Sequence, residues 1–134
     1  MILQSLTGLP TFLAFFFTAF AIVIVYLFVY TRITPADEFA LIRNNVPGAA
    51  IALGLSLLGF TLPVTSVIAH TENLVDCMIW GLIALIVQVI VYFAARIPVP
   101  NLPQRIAAGD LAPAIWLGLA SLAAGALSAA SISP

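Results

Sequence analysis

Asp76 and Gln88 are the polar side chains whose placement invites chemistry, because both belong to DCMIWGLIALIVQVIVYFAAR, the otherwise apolar run from Asp76 to Arg96. Steps of four give Asp76, Trp80, Ala84, Gln88 and Tyr92. Each such step drifts by about 40° around a helix, so these side chains form a slanting ridge rather than one flat face. Gln88 lies about 12 Å inside the Arg96 end at ~1.5 Å per residue. An unpaired amide at that depth in lipid is expensive, so Gln88 must face protein or water. Two uses fit: an interhelical hydrogen bond worth roughly 0.6–2 kcal/mol, or a place on a polar path. Asp76, at the run's other end, serves either as a helix-start charge or as a ligand contact.

Other chemistry is scarce. His70, Glu72 and Asp76 fall close together, but their spacing matches no metal motif, and with a single histidine in the chain no metal site is expected. No set completes a nucleophile, base and oxyanion arrangement, so neither an enzyme nor a cofactor is expected. The single Cys77 excludes an internal disulfide and reads as a packed thiol. Lysine is absent and only four arginines carry positive charge, which excludes nucleic acid as a partner.

The elements that hold these residues are set by composition. At 63% hydrophobic and 7% charged, a chain of 134 residues has no interior large enough to hide its apolar excess, so the bilayer must serve as solvent. One integral membrane domain, residues 1–134, is expected. Four runs are long enough to cross ~30 Å of hydrocarbon as helices: about Pro10–Thr31, Val46–Ala69, Leu74–Ala95 and Leu111–Ile132. The first has no basic stretch ahead of it and is too long for a signal-peptide core. All four arginines, Arg32, Arg43, Arg96 and Arg105, border or occupy the two longer connections. The positive-inside rule makes those connections cytoplasmic and puts both termini outside.

The connections carry helix punctuation. Thr34 followed by Pro35, Asp37 and Glu38 signals a short helix start, with Phe39 and Ile42 turned toward lipid and the charges away. Asn44 and Asn45 end that helix and cap the next span. Pro98, Pro100 and Pro103 stiffen the second connection, Gly109 stops a short turn, and Asp110 caps the fourth span. Pro63 is expected to kink the second.

This parallel points to an internal repeat. A shift of 64 residues pairs Arg32 with Arg96 and the string AI-x-LGL at Ala50 with its copy at Ala114. The units, about 10–69 and 74–134, have two spans each and so insert the same way up. Gly54 and Gly59 in the second span, and Gly118, Ser121, Gly125 and Ala129 in the fourth, let helix backbones approach closely where lipid gives no hydrophobic drive. Those spans should form the packed centre, with Trp80 or Tyr92 of the third anchoring near the interfaces.

The order of these parts, TPADEFALIRNN leading into AAIALGLSLLGFTLP, then D-x-x-x-W-x-x-x-A-x-x-x-Q and a second GD-x-x-x-AI entering a small-residue helix, resembles the YjfL family of small bacterial inner-membrane proteins, a domain of unknown function. Gly109-Asp110 departs from the Gly-Asn expected there. The resemblance implies a bacterial inner membrane, two-span repeats and a role tied to envelope integrity, but no reaction. The expected fold is all-α, a four-helix transmembrane bundle of two parallel two-span repeats. The expected function is a non-enzymatic protein that forms homo-oligomers or docks a membrane partner; a small-solute or ion transporter or channel using the Asp76 to Gln88 ridge is the competing class.

Overall fold

A computed structural model describes residues 6–34, 38–70 and 73–132. The described residues are helical, in the order α1 (Leu9–Ile33), α2 (Glu38–Arg43), α3 (Pro47–His70), α4 (Leu74–Ala95), α5 (Leu102–Ala107) and α6 (Leu111–Ile132). α1, α3, α4 and α6 are long and apolar enough to cross a membrane. The short α2 and α5 lie at the end of the bundle that carries all four arginines. Two helix stops explain how the chain turns there. Asn45 adopts φ 61° and Gly109 φ 100°, the left-handed conformation that lets the next amide reach back to an orphan carbonyl. Val46 N–H donates to Leu41 O and Asp110 N–H to Arg105 O, each at 3.0 Å. Asn45 thus ends α2, and Val46, not Asn45, is the residue before α3.

α3 and α6 pack closely along the bundle axis, mostly through small residues. Pro63 lies inside α3 and has no N–H, so the Gly59 carbonyl four residues back is left without its helical donor. Gly125 of α6 closes over that carbonyl: a Cβ there would run into Gly59 O and stand 2.6 Å from Gly59 C. Along the same seam, a Cβ on Gly118 would lie 2.7 Å from Leu55 Cδ1, and Ser66 Oγ donates to Ala129 O at 2.8 Å. α1 joins through Tyr26, stacked on Phe60 of α3 with centroids 4.4 Å apart, and through Ile22, which fills the notch left by Gly81 of α4. α4 lies against α1, α3 and α6.

Three sequence expectations are corrected by this packing. Gly54 does not pack helices within the chain: it faces outward, with nothing within 4 Å of where its Cβ would stand. Tyr92 is no interfacial anchor; it is 2% exposed and meets Tyr30 edge to face. In α2 one of the charges expected to turn away does not: Glu38 is 3% exposed, while Phe39, 42% exposed, keeps the outward position expected of it. The bundle is more polar inside at this end than a lipid-facing helix would require, and that interior draws the carboxylate in.

Candidate functional site

A chain of buried polar groups runs from the arginine end toward the middle of the bundle. It is built from five helices. α2 supplies Glu38, whose carboxylate is within electrostatic reach of Tyr30 and Tyr92. Thr34, 8% exposed where α1 ends, donates to Tyr30 O at 2.8 Å and has the Tyr92 side chain beside it. Tyr26 and Tyr30, one helical turn apart on α1, both face Ser56 of α3. Ser56 Oγ donates to Ser121 Oγ at 3.2 Å, and Gln88 Nε2 donates to Ser121 O at 3.2 Å. Ser56, Gln88 and Ser121 are 0–2% exposed.

The local reasons for these positions are simple. On α4 the covered face is Cys77, Gly81, Ala84, Leu85, Gln88 and Tyr92, so the amide is aimed at the close approach of α3 and α6. On α1 the residues buried are Ile22, Tyr26 and Tyr30, at steps of four. Among the described residues, Gln88 Oε1 and the Tyr92 hydroxyl make no hydrogen bond. The seam thus buries a carboxylate, three phenols and an amide together, and the two polar atoms without a hydrogen bond, Gln88 Oε1 and the Tyr92 hydroxyl, are costly there. Beyond Gln88 the bundle is closed by Gly59 against Gly125 and by the fully covered Phe60, Val64 and Val67. The polar chain therefore has a blind end.

The ridge from Asp76 to Tyr92 is divided by its own drift. Ala84, Gln88 and Tyr92 point inward, whereas Asp76 is exposed and Trp80 is 44% exposed. Among the described residues, no continuous polar path joins Asp76 to Gln88. Asn73 caps α4 by accepting from Val75 N–H at 2.8 Å; Asp76 sits in the first turn, where a negative charge suits the helix dipole. Asp76 and His70 border an open depression at the ends of α1, α3 and α4 remote from the arginines; His70 Nδ1–H donates to Ser66 O at 2.8 Å. Glu72 lies outside the described residues, as do Pro35 and Asp37 of the expected start of α2. The arginines gather at one end: Arg32 covers Phe28 at 4.7 Å, Arg96 covers Tyr92 and Phe93 at 5.8 Å, Arg43 closes α2, and Arg105 Nε meets Asp110 Oδ2 at 3.1 Å. Asp110 precedes α6 at the cap position with its carboxylate turned back to Arg105.

Glu38, Tyr26, Tyr30, Ser56 and Thr34's inward placement were missed by sequence reasoning. One signal was available. Under the 64-residue shift the polar chain maps onto apolar residues throughout: Tyr26, Tyr30, Thr34 and Glu38 onto Ile90, Ala94, Pro98 and Leu102, and Ser56, Gln88, Tyr92 and Ser121 onto Ala120, Ile24, Phe28 and Leu57.

The family model for the Domain of Unknown Function (DUF350) matches residues 4–132. Two relatives, both the UPF0719 inner membrane protein YjfL, from Escherichia coli strain K12 and from Escherichia coli O157:H7, are each 37% identical over 128 residues, covering 96% of this chain and 97% of theirs. No solved structure matches.

Proposed function

This chain belongs to the DUF350 family, and from that premise we propose that it is a non-enzymatic inner-membrane transporter for a proton or a small monovalent cation, with the Glu38-to-Gln88 chain as its cytoplasm-side binding path. The relative is an inner membrane protein, and four arginines at one end favour that end as cytoplasmic by the positive-inside rule. The observation that carries the proposal is the confinement of polarity to one seam. The matching positions in the other half carry only apolar residues, so polarity at this seam is more than the fold's repeated elements require, and a need outside folding accounts for it.

The proposal includes the duplication. α5 ends 64 residues after α2, α6 begins 64 after α3, and the left-handed stops at Asn45 and Gly109 are separated by the same interval. The blind end favours alternating exposure over an open pore, with the α3–α6 seam as the barrier. Association of chains through the small-residue stripe is not part of the proposal, because Gly59, Gly118 and Gly125 are occupied inside one chain.

The test is flux. Purified protein in liposomes holding a pH-sensitive dye should move protons or a monovalent cation at least tenfold faster than empty liposomes, and Glu38→Gln should return the rate to that of the empty ones. A wild-type rate equal to that of empty liposomes for H⁺, Na⁺ and K⁺ would refute the transport role.

A further inference from the structure

In steps of four, α1 turns Thr18, Ile22, Tyr26, Tyr30 and Thr34 toward the bundle, and Ile22 is the one apolar member of that set. Thr18 is half-buried, its Oγ1 donating to Ala14 O at 2.7 Å, and Ile22 is 7% exposed. The interruption between Thr18 and Tyr26 is about 12 Å long at ~1.5 Å per residue. Across it the covered face of α4 is Cys77, Gly81 and Ala84, without a side-chain oxygen, and α3 offers Phe60, Val64 and Val67. Beyond it, at the end remote from the arginines, lies the open depression of about 980 Å³ bordered by Thr11, Phe15, His70, Asn73 and Asp76. Polar surface thus stands on both sides of a single apolar plug. The walls of that plug differ. α3 and α6 meet backbone to backbone at Gly59 and Gly125, a contact that yields only if whole helices shift. α1 and α4 meet at this level through a side chain: Ile22 occupies the notch of Gly81, where a Cβ would stand 2.9 Å from its Cδ1 and 3.3 Å from its Cγ2. A rotamer change of Ile22 vacates the notch and leaves the α3–α6 seam intact. The notch belongs to the seam that carries the polar chain, since the 64-residue shift puts Phe17 in the place of Gly81, and Ile86, which matches Ile22, is 57% exposed.

We propose that this depression is the second mouth of the path and that Ile22, seated in the Gly81 notch, is the gate between it and the polar chain. The inference rests on the transport reading under Proposed function, and it names what stands between the blind end at Gln88 and the far side of the membrane. A branched apolar side chain across a narrow route excludes water and ions by dewetting while it is seated. With Ile22 withdrawn, the hydroxyls of Thr18 and Tyr26 border one space that opens on the depression, where Asp76 and His70 present a carboxylate and an imidazole to an arriving proton or cation. Gly81 is the seat: its missing side chain leaves the plug to be closed by a residue that can move, where a larger residue would fill the space permanently. The α3–α6 seam is the fixed wall against which the gate closes.

Silver ion, a thiol-reactive monovalent cation, tests the gate without relying on flux. In a Cys77→Ala background, Ala84→Cys puts a thiol about one turn past Gly81 on the side of the polar chain. Ag⁺ is added outside sealed right-side-out membrane vesicles, the face that carries the depression by the distribution of the arginines, and the thiols left are counted with a maleimide after denaturation. Valine and threonine at Ile22 have nearly the same shape and differ by a hydroxyl, so a merely structural role would move both alike. The expected result is that Ile22→Thr speeds the loss of the thiol by at least about tenfold while Ile22→Val stays near the parent rate. Unchanged rates in both variants, or an equal rise in both, would overturn the gate. Where Ile22→Thr does not fold, Ile22→Ala is compared with Leu117→Ala, an equal loss of carbon from the core nearer the arginines: a rise confined to Ile22→Ala supports the gate, and equal rates overturn it. A rise confined to the Ile22 variant stands even where wild-type liposomes carry no ion, so failure of the transport reading is read separately, by flux.

Discussion

A glycine-to-alanine series separates the seam from the surface most sharply. At Gly125 an added methyl meets Gly59 O and lies 2.6 and 2.8 Å from Gly59 C and Cα, against the 3.5–4.0 Å that carbon atoms prefer. Both partners are backbone, so relief requires α3 and α6 to move apart by about 1 Å, loosening contacts along the whole seam. At Gly59 the added methyl likewise meets Ser121 O and lies 2.8 Å from Ser121 C. At Gly118 the obstacle is the Leu55 side chain, 2.7 Å away at Cδ1 but also 2.8 Å at Cβ, which a rotamer change cannot clear. At Gly54 nothing is touched. Overpacking of this kind costs ~1–3 kcal/mol and at times more, less up to ~1 kcal/mol regained from the better helix propensity of alanine. We therefore expect Gly125→Ala and Gly59→Ala to destabilise by about 2–3 kcal/mol, Gly118→Ala by about 1 kcal/mol, and Gly54→Ala to be neutral or slightly stabilising. Reversible unfolding in mixed micelles, at one chain per micelle, measures the series. Equal losses at Gly54 and Gly125 would refute the assignment of these two glycines to opposite sides of α3–α6.

Tyr92→Phe removes a buried hydroxyl with no hydrogen bond, so it should leave stability unchanged or raise it by ~1 kcal/mol while lowering flux, a split visible by running unfolding and liposome assays on one preparation. Gln88→Leu should cost roughly 0.6–2 kcal/mol, the worth of an interhelical hydrogen bond in a membrane, and a loss below 0.3 kcal/mol by unfolding would show that the Ser121 contact does not form. Asn45→Gly should be tolerated and Asn45→Val should destabilise by ~1–2 kcal/mol, since a β-branched residue resists φ 61°; equal melting temperatures for the two would refute the left-handed stop. Arg105→Gln should change stability by less than ~1 kcal/mol, because its ion pair with Asp110 is half exposed on both sides, and a thermal scan in detergent checks it.

The amino-acid sequence by itself determined the four spans, the end at which the arginines gather, the turns at Asn45 and Gly109, and the requirement that Gln88 face protein or water. Each follows from a local rule: the length of an apolar run, the backbone freedom of one residue, or the desolvation of one amide. Which faces meet was decided only by tertiary structure. Lipid is as apolar as a helix interface, so the helices carry little contrast between inside and outside, and periodicity cannot tell Gly118, which is covered, from Gly54, which is not. For the same reason Tyr26 and Tyr30 looked like any aromatic residues of a lipid-facing helix, and Glu38 like a solvated charge, until α3 and α4 closed around them. The ridge from Asp76 to Tyr92 was legible as a drift, but where along it the neighbours' cover begins depends on the crossing of α1, α3 and α6, a relation between distant segments that no single stretch of chain encodes.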